Sequence, residues 1–274
     1  MSDQPTIALN DGRAIPQLGL GVWRTPPAET AAVVASAVAA GYRHVDTAMI
    51  YGNEAGVGDG LRASGLAGEV FLTTKLWNDD QGYDETLKAF EASARRLGLE
   101  TVDLYLIHWP MPATNRYVQT WKALVRLREE GRVRSIGVSN FGRAHLERTI
   151  GETGVTPAVN QIELHPGFPQ AELRALHAEL GVATESWSPL GQGRILSDPA
   201  VRRLADKHGR TPAQVVIRWH LDLGLVVIPK SVNPGRIAEN FDVFGFRLDE
   251  DDMAALATLA DPAGRIGPDP AGFG

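Results

Sequence analysis

Apolar runs in this chain end, one after another, on a polar or ionisable residue, and each is followed by a stretch of helical periodicity. YRHVD runs into Asp46, with Tyr51 five residues on in DTAMIYGNE; VFLTTK ends at Lys75; VDLYLIH ends at His108. An ionisable group that closes a buried apolar run is costly without a partner, so three such endings in succession point to one another. If each run is a parallel strand followed by a helix, the strand ends converge on one rim of a closed sheet, where barrels of this type carry their chemistry. The pattern continues: RSIGVSN delivers Ser139 and Asn140, PAVNQIE delivers Asn160 and Gln161, ATESWSP delivers Trp187 and Ser188, and GLVVIPKS delivers Lys230 and Ser231.

Periodicity and stop signals predict helices from Pro26-Pro27 to Gly41, then over Glu54–Ser64, Asp84–Leu97, Tyr117–Glu130, Arg143–Ile150, Gln170–Glu179, Thr211–Leu223 and Asp249–Ala260. An extra helix fits Asp198–His208. Alternating strands and helices of this number imply an α/β fold, a (β/α)8 TIM barrel with added helices, rather than an open sheet. Ahead of it, TIALNDGRAI reads as a hairpin turning at Asn10-Asp11-Gly12 and placed to plug the barrel's lower end. No Pro/Gly/Ser-rich linker divides the sequence, so residues 1–274 are expected to form a single barrel domain.

With 27 Lys+Arg against 33 Asp+Glu, the net charge of -6 offers no basic field for a nucleic acid. The absence of cysteine excludes disulfides, thiol nucleophiles and thiolate metal sites. The opening MSDQPTIALNDGR has no basic-then-apolar signal, and AAVVASAVAA at Ala31 to Ala40 is too short to span a bilayer. A soluble, cytoplasmic monomer without membrane or nucleic-acid partners is the expectation.

The rim residues suggest a chemistry. Tyrosine and lysine titrate at about 10 and about 10.4, so alone neither donates a proton readily near neutrality. An ammonium set against the phenol oxygen favours the phenolate and makes the phenol a stronger acid. Asp46 would keep Lys75 charged and in place, and His108 could hold a substrate carbonyl oxygen near the Tyr51 hydroxyl. That set suits protonation of a developing alkoxide, half of a carbonyl reduction. The other half is a hydride, which no side chain supplies and a reduced nicotinamide would. Ser139, Asn140 and Gln161 are suited to a carboxamide, Trp187 to stacking on an aromatic ring, and Lys230, Ser231 and Arg236 to a phosphate at the start of a short helix.

Other readings fit less well. Gly19 and Gly21 open like a dinucleotide fingerprint, but Arg24 occupies the third glycine position. No HxH or HExxH pair is present, so no metal site is expected. Glu163 and Glu185 could form a glycosidase pair, which leaves the Lys230–Arg236 cluster unexplained. A non-catalytic NADPH-binding module that senses redox state is the alternative from another functional class.

Taken together, DTAMIYGNE, TTKLW, LIHWP, GVSNF, NQIELHP, WSPLGQG and IPKSVNPGRIAEN resemble the aldo-keto reductases in order and spacing along nearly the whole chain. The resemblance implies a (β/α)8 barrel that binds NADPH, with Tyr51 as proton donor, Lys75 and Asp46 as its tuning pair and His108 as orienter. It further implies that Ser139, Asn140 and Gln161 hold the nicotinamide amide, and that Ser188, Leu190 and Gln192 follow the pyrophosphate. Lys230, Ser231, Val232, Asn233 and Arg236 would grip the 2′-phosphate, with Glu239 and Asn240 facing the adenine. Trp187 stands where many members stack a tyrosine, a departure that resembles the bacterial 2,5-diketo-D-gluconate reductases. Trp23, Trp77 and Trp109 would line a pocket for a small carbonyl substrate, and the short segment after Ala260 suggests that this pocket is open.

Overall fold

In the computed structural model, which describes residues 4–273, strands β1 (Thr6–Ala8) and β2 (Ala14–Pro16) pair antiparallel across the expected turn, with Gly12 at φ 83°. Residues 1–3 and 274 of the expected domain span lie outside the described residues. Ile15 of this hairpin is fully buried and packs with Leu104, Leu106, Val159 and Val226 of the strands that follow. The hairpin therefore covers the end at which those strands begin.

Eight parallel strands follow: β3 (Leu20–Gly21), β4 (His44–Asp46), β5 (Phe71–Leu76), β6 (Val102–Ile107), β7 (Val133–Ser139), β8 (Val159–Glu163), β9 (Ala183–Trp187) and β10 (Val226–Val227). Each pairs with the next, and parallel bridges Leu18–Val227 and Gly21–Lys230 join the last to the first. The sheet is thus closed. Side chains alternate across a strand, so His44 and Asp46, Thr73 and Lys75, Gln161 and Glu163, and Glu185 and Trp187 enter the interior in tiers. Space there is short: a Cβ on Gly137 would stand 2.6 Å from the Val159 carbonyl oxygen, and one on Gly19 would stand 2.5 Å from His44 Nδ1.

Helices fill the connections between strands and follow the last of them. They are α1 (Pro27–Ala40), α2 (Glu54–Ser64), α3 (Tyr83–Leu97), α4 (Tyr117–Glu129), α5 (Arg143–Thr153), α6 (Ala171–Leu180), α7 (Pro199–His208), α8 (Pro212–Asp222), α9 (Pro234–Phe241) and α10 (Glu250–Ala257). Proline in the first turn starts α1, α7, α8 and α9, and left-handed glycines such as Gly41 and Gly98 stop the earlier ones. Thr211 and Gln214 form a capping box on α8. Helix α5 runs three residues past the expected end at Ile150, because Gly151 is accommodated within it and the left-handed stop is Gly154, at φ 69°. Trp121 and Trp219 are buried in the core on α4 and α8, as their helical spacing implies. Among the described residues no helix is long and apolar enough to cross a membrane.

Candidate active site

The C-terminal ends of the strands open into a cleft of about 590 Å³. Gly21, Asp46, Trp77, His108, Ser139, Gln161, Trp187 and Lys230, from successive strands, face it. Asp46 ends β4, and the connection from it to α2 supplies Tyr51. After β4 the chain makes one 3₁₀ turn over Met49–Tyr51, which Gly52 ends at φ 68°. Asn53 is buried and fastens that turn, accepting from Thr47 Oγ1 (2.8 Å) and donating to the Val22 carbonyl (2.9 Å). The phrase YGNE is therefore a structural unit that aims the phenol back over the barrel.

Lys75 is fully buried at the end of β5. Its Nζ donates to Asp46 Oδ1 (2.6 Å), to the Thr47 carbonyl (2.9 Å) and to the Tyr51 hydroxyl (3.4 Å). Burial works against the ammonium, but Asp46 and Tyr51 outweigh it and raise the Lys75 pKa above its usual value, so the amine is charged. For Tyr51 the balance is different from the acidified phenol that the sequence suggests. Burial raises its pKa and the Lys75 attraction does not fully offset that, with Asp46 adding to the rise. The phenol keeps its proton at neutral pH. His108 is buried with Nδ1 unpartnered, and burial followed by Lys75 pushes its pKa well below the usual value. It is a neutral imidazole set edge-on to Tyr51 and Trp77, with ring centroids 5.8 and 5.2 Å away.

The remaining expected residues fall into two groups. Ser139, Asn140, Gln161, Trp187, Ser188, Gln192 and Lys230 line the cleft with Tyr51, Trp23, Trp77 and Trp109. Asn140 is held at φ 63°, donates to the His108 carbonyl (2.9 Å) and Ser139 Oγ (3.1 Å), and accepts from Trp187 Nε1 (2.8 Å). It fixes the indole plane. Gln161 spends its amide hydrogens on Asp46 Oδ2 (2.8 Å) and Glu185 Oε2 (3.0 Å). Ser188 and Gln192, at φ 48° and 53°, are backbone outliers of the kind that concentrate at ligand sites.

Leu190, Ser231, Val232, Asn233, Arg236, Glu239 and Asn240 do not line that cleft. Leu190 packs on the core, and Glu239 accepts from Thr211 Oγ1 (2.9 Å). Beyond Lys230, Ser231 Oγ accepts from Asn233 N (3.1 Å), and Asn233 caps α9 by accepting from Arg236 N (3.0 Å). Val232 and Arg236 are exposed there, and Asn240 is buried on the same helix.

The segment after Ala260, expected to leave the pocket open, turns back to the cleft after α10, and Ile266, Gly267, Pro268 and Phe273 form part of its wall. Glu163 accepts from the Ile266 and Gly267 amides at 2.5 and 2.7 Å, Phe273 lies 4.5 Å from Trp109 by ring centroids, and the Arg265 guanidinium sits 4.7 Å over Phe168. Burial raises the Glu163 pKa, but His165 and the two amides outweigh it and the group is a firm carboxylate. Arg24 and Ile50 also line the cleft and carry no distinctive signal in sequence.

The chain is similar to known proteins over nearly its whole length. An "Aldo-keto reductase" of Mycobacterium sp. (strain JLS) is 62% identical over 270 residues, 98% of each chain. "Methylglyoxal reductase DkgA" of Salmonella typhimurium is 53% identical over 277 residues, covering 100% of both. Among solved structures, a point mutant of Gox0644 in complex with NADPH superposes with a TM-score of 0.97 at 60% identity, covering 100% of both chains. Residues 16–261 match the model of the Aldo/keto reductase family, and with these likenesses they show that the chain belongs to it.

Proposed function

We propose that the chain reduces small aldehydes, ketones or diketo acids to alcohols with NADPH, Tyr51 giving the proton. The observation that carries this reading is the contact series Asp46–Lys75–Tyr51, at 2.6 and 3.4 Å, on the floor of an aromatic cleft beside a neutral His108.

The residues present fit NADPH. Trp187 offers a ring face whose plane Asn140 fixes, and the two carboxyls that hold the Gln161 amide hydrogens leave its Oε1 for a carboxamide donor. Ser139 and Asn140 complete that end; Ser188, Leu190 and Gln192 lead along the rim toward Lys230. Lys230, Ser231, Val232, Asn233 and Arg236 form a polar, cationic end for the 2′-phosphate, with Glu239 and Asn240 beyond for the base. When bound, the nicotinamide supplies the hydride.

The protein's own contribution is positioning and proton transfer. Neutral His108 can hold the carbonyl oxygen by donating a hydrogen bond to it. Tyr51 retains its proton until negative charge grows on that oxygen, and Lys75 then stabilises the phenolate left behind. Trp23, Trp77, Trp109, Ile266 and Phe273 give the cleft apolar walls around the transfer. The relatives named methylglyoxal reductase make dicarbonyls a sensible first class of substrate. The same reading includes one domain over 1–274, a monomer and a cytoplasmic address, the second of which light scattering on the purified protein tests.

The deciding experiment is a screen of aldehydes, ketones, methylglyoxal and diketo acids with NADPH and NADH side by side, followed by loss of reduced-nicotinamide absorbance. NADPH oxidation with at least one class is expected. Tight NADPH binding with no turnover across the panel would instead favour the sensing module.

A further inference from the structure

Beneath the rim the barrel holds an acid that the steps above do not use. Glu185 lies on β9, two residues before Trp187, and is fully buried. Its Oε2 accepts one Gln161 amide hydrogen at 3.0 Å, while the other goes to Asp46 Oδ2 at 2.8 Å. Its Oε1 has no hydrogen-bond partner. His44 Nε2 stands 3.7 Å from it, beyond hydrogen-bond range, and that nitrogen pairs with Thr73 Oγ1 at 3.1 Å.

The charged and titratable groups facing Glu185 are Asp46 and His44 from β4, Lys75 from β5, and Tyr51 above them. Its flanking strands β8 and β10 present Gln161, Val226 and Val227, none of them charged. Lys75 is already committed to Asp46 at 2.6 Å. A second carboxylate with a bare oxygen is a poor state in so dry a place, and a carboxylic acid is a far better one. Consistent with that geometry, burial and then Asp46 push the Glu185 pKa up to about 8, and burial followed by Lys75 pushes His44 down to about 3. The two are neutral neighbours at neutral pH, not an ion pair.

We propose that Glu185 is a positioning residue for proton transfer: as a neutral acid it shares the Gln161 amide with Asp46, and its ionisation adds an anion that holds the Tyr51 proton back. This rests on the reductase reading above. A negative Glu185 stabilises the neutral phenol over the phenolate, so Tyr51 becomes the weaker acid. The proton that Glu185 loses goes to solvent as pH rises; none passes between Glu185 and substrate.

The test is kcat at saturating NADPH and carbonyl substrate for wild type and Glu185→Gln, read as the ratio between about pH 6.5 and about pH 9. Glutamine keeps the shape and fixes the uncharged state. In wild type kcat is expected to fall on the order of fivefold across a step near the Glu185 titration, and in Glu185→Gln the ratio stays close to one. Superimposable profiles would overturn the proposal, and a residue with only a packing role would give them. A second measurement needs no variant: infrared spectra of wild type carrying ¹³C-labelled glutamate should show a buried carboxylic-acid carbonyl band at neutral pH that disappears at alkaline pH. Its absence at neutral pH would overturn the proposal even if Glu185→Gln failed to fold. If no carbonyl compound is turned over, the reductase reading fails, and the infrared result still decides the state of Glu185.

Discussion

The Tyr51 hydroxyl stands 3.4 Å from the Lys75 ammonium, yet burial leaves the phenol protonated. At an effective dielectric of about 20 that distance gives an attraction of about 5 kcal/mol for a phenolate, so the cation stabilises the phenolate once the growing negative charge on the substrate oxygen draws the proton away. Tyr51→Phe removes the donor and little else. We expect kcat to drop by about 10² to 10⁴ while NADPH affinity changes less than about threefold, measured by single-turnover absorbance and by fluorescence titration. Near-normal turnover in this variant would refute the assignment of the donor.

The Lys75–Asp46 pair invites a stability comparison. Asp46→Asn leaves a buried ammonium with neutral acceptors and no counter-charge, and Lys75→Met leaves a buried carboxylate. Each single variant should lose about 3 to 5 kcal/mol in urea unfolding, because an uncompensated charge remains in the core. The double variant should lose less than the sum, since both charges leave together. Strict additivity would show that the pair does not interact as the 2.6 Å contact implies.

The cofactor's phosphate end yields a selectivity prediction. Lys230 and Arg236 are exposed, so their strength toward a ligand comes from charge and geometry rather than burial. Arg236→Ala should weaken NADPH by about tenfold or more and NADH by less than about twofold, measured as dissociation constants at fixed salt. Equal losses for both would place the 2′-phosphate elsewhere.

Much of the rim was readable from local pattern. Asp46, Lys75 and His108 each close an apolar run, and a barrel's geometry gathers strand ends, so their meeting required no long-range information. Glu163 and Glu185 show where local reading stops. In sequence they look like two equivalent strand-end acids. Pairing sets Gln161 opposite Glu185 and Glu163 opposite Trp187, which sends one acid beneath the catalytic tier and the other to the wall. The tail was illegible for a related reason: DPAGRIGPDPAGF has no period of its own, and what holds it is Glu163, more than a hundred residues earlier. Gln161 and Asn140 were recognisable as polar rim residues, but not that their amide hydrogens are already engaged within the protein.

That tail has a sensitive point at Gly267. A Cβ there would stand 2.6 Å from the far edge of the Trp187 indole and 3.1 Å from Glu163 Oε2. Gly267→Ala must move the tail or the indole, and both border the cleft. We expect the KM for carbonyl substrate to rise on the order of tenfold while global stability changes by less than about 1 kcal/mol. Unchanged KM with unchanged tryptophan fluorescence would mean that the tail does not shape the site.

Buried titrating groups make the stability of the protein respond to pH in opposite directions. Burial, as first cause, lowers His44, His177 and His220 from 6.5 to about 3, about 4 and about 3. Their stabilisation is present above the unfolded value and is lost as pH falls, because the unfolded chain takes up the protons first. Between pH 7 and 5 each costs about 2 kcal/mol, roughly 6 together, a large share of the 5–15 kcal/mol typical of a folded domain. Glu185, raised from 4.5 to about 8, has the reverse sign: its favourable contribution is complete below the unfolded value and disappears as pH rises through the folded one. Over the same interval it returns about 3 kcal/mol on acidification. Glu185→Gln, without the compensating acid, should therefore lose about 3 kcal/mol more than wild type between pH 7 and 5 in urea unfolding. Parallel stability curves for the two proteins would show that Glu185 is already ionised in the folded barrel at neutral pH.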